Sequence, residues 1–299
     1  MYWVVFIASL IASIGAFLLV PANMEAAEFY RLTVTASSTS VATNRGADGF
    51  AKALLPAVFL APYLLGQVRR SFRPLLLVAV AVVLAAMVGS GSRSCYAAAV
   101  IGVVVSALVY RRLPVGRRIL LAVGIMMAIA VFIAVGAASG LWARTLWTRI
   151  VVLSQRGLAE GGRDQIWSAG LQMGAEHPLL GIGIGNFPVE LVMRKGRFMM
   201  AHNDFITHFA ETGIPGILLY LAMLAAVVRL AWRTAEPRLR AGLIGLFVAA
   251  VIAGMANPSY GDKSFWMQLA LCALGGTVSV VAPGPAPGPA LGADGRLAG

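Results

Sequence analysis

Long apolar runs dominate this chain, and they leave it few ways to fold. A segment needs about 17–25 mostly apolar residues to cross a bilayer. Eight stretches approach that length, at about 2–20, 52–68, 74–90, 94–110, 119–138, 210–231, 241–256 and 264–282. Hydrophobic residues make up 59% of the chain and the mean hydropathy is +0.83, whereas soluble domains use roughly 45–50% apolar residues. A water-soluble fold of 299 residues has no interior large enough to hide that much apolar surface. Lipid must be the solvent. The expected fold is all-α, a polytopic membrane bundle of about eight transmembrane helices.

The charges orient the bundle. The chain carries a net charge of +12, and its arginines cluster in alternate connections. Arg69, Arg70 and Arg73 lie in one, Arg111, Arg112, Arg117 and Arg118 in the next, and Arg229, Arg233, Arg238 and Arg240 in a third, opposed there only by Glu236. Short loops rich in Lys and Arg stay in the cytoplasm. Both termini are therefore expected inside, and the loops at 21–51, 139–209 and 257–263 outside. This placement makes the positive charge a topology signal, and no nucleic-acid partner is expected.

The first span lacks a basic segment ahead of it, so it reads as an anchor and not a cleaved signal. Residues 1–282 read as one polytopic membrane domain. The Pro/Gly-rich stretch 283–299 reads as a disordered cytoplasmic tail. Cys95 and Cys272 both sit in apolar runs, and neither CxxC nor HExxH spacing occurs, so no metal or other cofactor is expected.

The chemistry gathers in one place. All three histidines, His177, His202 and His208, fall between Arg163 and Gly216, together with Asp164, Glu176, Asp204 and Glu211. A membrane protein that collects its few titratable groups in one extramembrane segment has a use for them there. The 139–209 loop is also too long for a plain connector. It opens with Trp142, Arg144, Trp147 and Arg149, a mixture suited to the lipid headgroup layer.

A helix is expected from Arg163 to Glu176, ended by His177-Pro178 because the residue before proline is pushed out of the α region. The stretch GIGIGNF (Gly181 to Phe187) lacks the βαβ setting of a dinucleotide fingerprint. On the helix that follows, Asp204, His208 and Glu211 would form one polar stripe. His202 would stand at its start, facing the loop, where a neutral imidazole can take a proton from a hydroxyl near pH 7. His208 fits a structural lining and His177 a helix end. Arg163, Arg194, Lys195 and Arg197 share the outer side with Arg93 of the turn GSGSRS (Gly89 to Ser94). Guanidinium groups match phosphate oxygens through paired hydrogen bonds. Membrane lipid is the competing partner for the same cations.

Taken in order, SGSRS (Ser90 to Ser94), GRDQIW (Gly162 to Trp167), HPLLGIGIGNF (His177 to Phe187) and HNDFITHFAETGIPG (His202 to Gly216) resemble the O-antigen ligase/polymerase superfamily. The resemblance covers roughly residues 44–262, starting near RGADGFAKALLPAVFL (Arg45 to Leu60). It implies a GT-C-like membrane glycosyltransferase. Such enzymes move a glycan from an undecaprenyl-diphosphate carrier to a hydroxyl acceptor, without metal or nucleotide sugar. The acceptor is lipid A–core in a ligase, a growing glycan in a polymerase, or a protein side chain. By the same resemblance, His202 matches the histidine that activates the acceptor hydroxyl. Arg163 and Arg93 match the arginines that hold the diphosphate. Asn203, Glu211, Gly213 and Gly216 match the motif around the re-entering helix. Family members usually have more spans, and the first span and the 21–51 loop do not resemble their amino-terminal half.

The competing reading is a transporter or flippase of the same lipid-linked glycan, or a non-catalytic component of a polysaccharide-export complex. A transporter places charges at mid-bilayer and often has repeated halves. This chain keeps nearly all its charges at span ends and shows no repeat. The topology is directly checkable: reporter fusions placed after Arg112 and after Gly157 should report opposite faces of the membrane. The same face for both would overturn the assignment.

Overall fold

The computed structural model describes residues 1–18, 47–90, 92–110, 114–117, 119–120, 123, 163–256, 259 and 261–281. Nearly all of the expected span at 119–138, the loop residues up to 162 with Trp142 to Arg149, most of the expected 21–51 loop and the 283–299 tail lie outside the described residues. Every regular element among those described is helical. The helices are α1 (Tyr2–Leu18), α2 (Ala47–Gln67), α3 (Arg73–Gly89), α4 (Arg93–Val109), α5 (Arg163–Glu176), α6 (Phe187–Lys195), α7 (Asp204–Trp232), α8 (Pro237–Gly254) and α9 (Lys263–Val281), with a single 3₁₀ turn at Arg70–Phe72. Four are long and apolar enough to cross a membrane: Asp48–Gln67, Arg70–Val88, Asp204–Trp232 and Pro237–Gly254. The shorter apolar helices Tyr2–Ala16 and Ser94–Val109 accompany them.

The bundle is centred on α2 and α8. Leu54, Leu55, Leu60 and Leu64 of α2, and Leu243, Leu246 and Ala249 of α8, are fully buried. Helices pack in lipid without a hydrophobic driving force between them, so small residues that let backbones approach become decisive. The α4–α8 contact is built this way. A Cβ on Gly102 would lie 2.5 Å from the Gly245 carbonyl oxygen, and one on Gly245 would lie 2.6 Å from that of Gly102. Ser106 Oγ also donates to the Ala241 carbonyl at 2.7 Å. The faces of α1 and α3 that leave the bundle are apolar, with Ile11, Leu75 and Val78 exposed, as lipid contact requires.

A second, smaller core sits on the bundle. Ile166, Ala169 and Met173 of α5, Phe187 and Leu191 of α6, and Ala201 close around Ala210 of α7. The helix expected at Arg163–Glu176 has those bounds in the structure.

The helix expected to enter the membrane near 210 begins earlier, at Asp204, because Asn203 caps it. The Asn203 side-chain oxygen accepts from Phe205 N at 3.0 Å and Ile206 N at 3.3 Å. This satisfies two of the orphan donors of a helix start. The helix is also broken at Gly213, whose φ is 67° and ψ −161°. The break follows from the sequence Gly-Ile-Pro. Pro215 has no N–H to give the Glu211 carbonyl, and Ile214 N turns away to donate to the Pro178 carbonyl at 2.7 Å.

The two freed carbonyls are supplied from the turn after α5. Ile182 N donates to the Ala210 carbonyl at 2.9 Å and Gly183 N to the Glu211 carbonyl at 3.0 Å. Backbone must come close for this. A Cβ on Gly213 would meet the Pro178 carbonyl oxygen at 2.5 Å, and one on Gly181 the Glu211 carbonyl carbon at 2.2 Å. Glycines at these positions are the condition for the turn and the break to interlock.

Paired substitutions separate strain from interlock. Gly185 has φ +82° with open space around its Cβ, while Gly181 has φ +65° and no room. Gly185→Ala should cost only the left-handed penalty, about 1–2 kcal/mol, whereas Gly181→Ala must also part the turn from α7 and should cost clearly more. Thermal unfolding of the detergent-purified variants measures the difference, and equal midpoints would refute the interlock.

Candidate functional site

His202 is brought under the charges of two other helices, Arg163 of α5 and Asp48 and Lys52 of α2. His202 directly precedes the cap of α7 and has φ 52°, the left-handed region, among the described residues the one non-glycine position with positive φ. A non-glycine residue there is held by its surroundings, and such positions collect at functional sites. Its ring is half-buried, and Nδ1 is enclosed without a hydrogen-bond partner among the described residues. Burial pushes the imidazole pKa below its ordinary value of 6.5, and the Arg163 and Lys52 charges push it the same way against the pull of Asp48. The ring is therefore neutral at neutral pH, the form that can accept a proton.

Arg163, the first residue of α5, is exposed and is one of the charges acting on His202. Lys52 and Asp48 lie one turn apart on α2, and sequence reasoning did not single them out. Lys52 is 3% exposed; its ammonium lies 3.4 Å from Asp262 Oδ2 and donates to Ser259 Oγ at 3.2 Å. Gln268 of α9 donates to the Lys52 carbonyl at 2.6 Å. Ser259 N in turn donates to Asp204 Oδ1 at 2.7 Å. The start of α7, two residues beyond His202, is thus tied through Ser259 to a buried ion pair joining α2 to the head of α9. A Cβ on Gly254 would come within 2.6 Å of Asp204 Oδ2, so glycine is required beside this tie as well.

Asp48 makes the second connection. It accepts from the Ser92 hydroxyl, which caps α4 by accepting from Cys95 N at 3.4 Å, and from Ser94 Oγ at 3.5 Å. Arg93 stands between these serines as the first residue of α4; its side chain is outside the described set. Asp48 is legible afterwards as the acid in the first turn of α2. Lys52 stands out as a lone cation in an apolar run, which is costly unless it is paired.

The polar stripe expected on α7 is divided among three partners. Asp204 faces Ser259. His208 stacks on Tyr220 at 4.2 Å and 29°, and Phe205 meets the same ring edge-on at 5.6 Å. These pairs join residues twelve and fifteen positions apart, too far along one straight helix, and the Gly213 break allows them. Glu211 is buried and its Oε1 accepts from Phe187 N at 3.2 Å, holding the start of α6. Asn203 serves as the α7 cap.

Arg194 is engaged elsewhere. Its guanidinium binds Glu176 Oε2 at 2.6 Å and Glu190 Oε1 at 2.8 Å, which lowers the pKa of Glu176 and raises that of Arg194. Arg197 is exposed in the turn after α6. His177 is exposed at the end of α5. The structure therefore brings His202 and Arg163 together with Asp48 and Lys52, and it brings Asp48 to the serines flanking Arg93. Arg194 stands apart, tying α6 to the end of α5.

The tie can be tested by breaking one side of it. Removing one partner of a buried ion pair typically costs about 3–5 kcal/mol, while neutralising both costs far less. Lys52→Met should lower the thermal midpoint in detergent strongly, and Lys52→Met with Asp262→Asn should recover most of the loss. A double variant as unstable as the single one would mean that the pair does not hold these segments.

Comparison with known families meets this geometry. Residues 77–221 match the profile of a family described as O-antigen ligase. The comparison with curated proteins returned no match. The matched region runs from α3 through the Gly213 break and contains Arg93, Arg163, His202, Asn203 and Glu211. It stops short of Asp262 and excludes Asp48 and Lys52. Residues 77–221 of this multi-pass membrane chain are thus similar to the O-antigen ligase family.

Proposed function

We propose that this protein is a GT-C-like glycosyltransferase of the bacterial inner membrane. It passes a glycan from an undecaprenyl-diphosphate carrier to a hydroxyl on lipid A–core, a growing glycan or a protein. In this reading residues 1–282 form one membrane domain of eight spans with 119–138 as the fifth. Both termini and the 283–299 tail are cytoplasmic, and the 139–209 loop with its site is periplasmic, within an O-antigen ligase-like region at 44–262. The observation that carries the reading is a neutral imidazole at the outer end of a spanning helix, with Arg163 beside it, inside the segment that matches the family.

In the reaction, His202 takes the proton from the acceptor hydroxyl as its oxygen attacks the anomeric carbon. The glycosyl–oxygen bond to the diphosphate breaks, and the bonding electrons leave with the diphosphate. Fixed positive charge where that negative charge develops lowers the barrier. Arg163 and Arg93 supply it. Arg194 and Arg197 complete the cationic rim, Arg194 by exchanging a carboxylate for phosphate. Asn203 and Glu211 serve the substrate by holding the backbone on either side of the site: Asn203 fixes the start of α7 behind His202, and Glu211 fixes the glycine turn. Asp48 steadies the imidazolium once it forms.

General-base help is typically worth roughly 10²–10⁴ in rate, so His202→Ala should nearly abolish transfer while carrier binding survives. Arg163→Lys and Arg93→Lys keep the charge but lose the forked donor geometry, and should cost most of the activity at normal membrane abundance. A base works only when unprotonated, so activity should fall as pH drops through the His202 pKa. Burial and Arg163 place that midpoint below 6.5. Asp48→Asn, by removing an opposing charge, should move it lower still. An acid limb that does not move in Asp48→Asn would take the base role from His202. In a deletion strain, lipid-linked oligosaccharide should accumulate on the periplasmic face; accumulation on the cytoplasmic face would refute transfer in favour of transport.

A further inference from the structure

The small core outside the bundle leaves an apolar surface uncovered, and its position identifies what covers it. On α6, Phe187, Pro188 and Leu191 turn into the small core, while Val189 and Met193 on the opposite side are 51% and 79% exposed. A water-facing helix has one apolar stripe with polar residues opposite it; this one is apolar on both faces. Phe198 and Met200 follow at 75% and 44% exposed. In the glycine turn, Leu179 and Leu180 are 72% and 84% exposed.

That turn has a fixed height. Pro178 accepts from Ile214 N, and Ile182 and Gly183 donate to the carbonyls of Ala210 and Glu211. Leu179 and Leu180 are therefore pinned beside residues 210–214 of a helix long and apolar enough to cross the membrane. The exposed face of that helix, Ile214, Leu218 and Leu219, is itself apolar and continues from the turn. A soluble surface rarely tolerates so large a patch, whereas an amphipathic segment at a bilayer buries its apolar face about 5–10 Å into the headgroup and acyl boundary.

We propose that the turn at Leu179–Leu180 and the exposed face of α6 with Val189 and Met193 are inserted into the bilayer. The lipid surface thereby holds the His202-bearing segment at membrane height. This follows from α7 being a span and is independent of the transfer reaction.

The test uses the full chain in vesicles of phosphatidylcholine mixed with phosphatidylglycerol. Nitroxide labels on Leu180→Cys, Met193→Cys and, as comparator, Ser168→Cys on exposed α5 are read for collision with oxygen and with an aqueous nickel chelate. Native Cys95 and Cys272 are both fully buried and stay unlabelled. At positions 180 and 193 oxygen should exceed nickel several-fold, with the reverse at 168. Nickel access at 180 and 193 equal to that at 168 would overturn the proposal. So would spin–spin broadening between copies, because a second copy would then cover the patch. Neither result bears on whether glycan is transferred.

Discussion

The break at Gly213 governs how the small second core is joined to the bundle. Backbone groups at membrane depth must be satisfied within the protein, because hydrocarbon offers no hydrogen bonds. Pro215 leaves the Glu211 carbonyl without a helical donor, and Ile214 turns its own N–H to Pro178. The turn from Pro178 to Gly183 fills both vacancies. One local defect thereby fixes the separate outer core to a spanning helix. It also lets His208 and Phe205 fold onto Tyr220, which a straight helix would carry far away. The glycines on both sides are the condition for two backbones to come this close.

A second constraint is electrostatic. Lys52 and Asp262 are withdrawn from water at one end of the bundle, where an unpaired charge would be costly. Their pairing closes α2 against the head of α9, and Ser259 carries the connection to Asp204. His202, placed just ahead of that anchor, sits between Arg163 and the α2 charges. Its depressed basicity follows from where the chain is held and needs no direct hydrogen bond to its ring. The backbone break and the buried pair thus act on the two ends of one nine-residue piece of helix, Asp204 to Thr212.

The same division explains the arginines. Arg163 opens α5 and faces the site. Arg194, the same residue type 31 positions later in the chain, is taken up by Glu176 and Glu190. A phosphate offered to Arg194 must compete with two carboxylates already in place. Sequence spacing could not separate these two roles, because Glu190 is one helical turn away on α6 but Glu176 lies on a different helix.

Much of the architecture was determined by the sequence alone. Apolar length and alternating arginines dictate a helical membrane protein, since lipid permits little else. The Arg163–Glu176 helix was bounded by its own His-Pro end. His202 and Arg163 were legible because a polar cluster in a greasy chain has few explanations, and the ordered motifs pointed to the family that residues 77–221 match. The roles of Asp48 and Lys52 were decided only in three dimensions. They lie more than a hundred residues from His202, and neither periodicity nor a local motif brings them near it. The polar stripe of Asp204, His208 and Glu211 likewise parted into three partners: the three share one unbroken piece of helix, but Ser259, Tyr220 and the start of α6 each pack against a different one of them. Local chemistry sets which elements form and where they end; which buried charge meets which histidine depends on packing between distant helices, and that information resides in the tertiary structure.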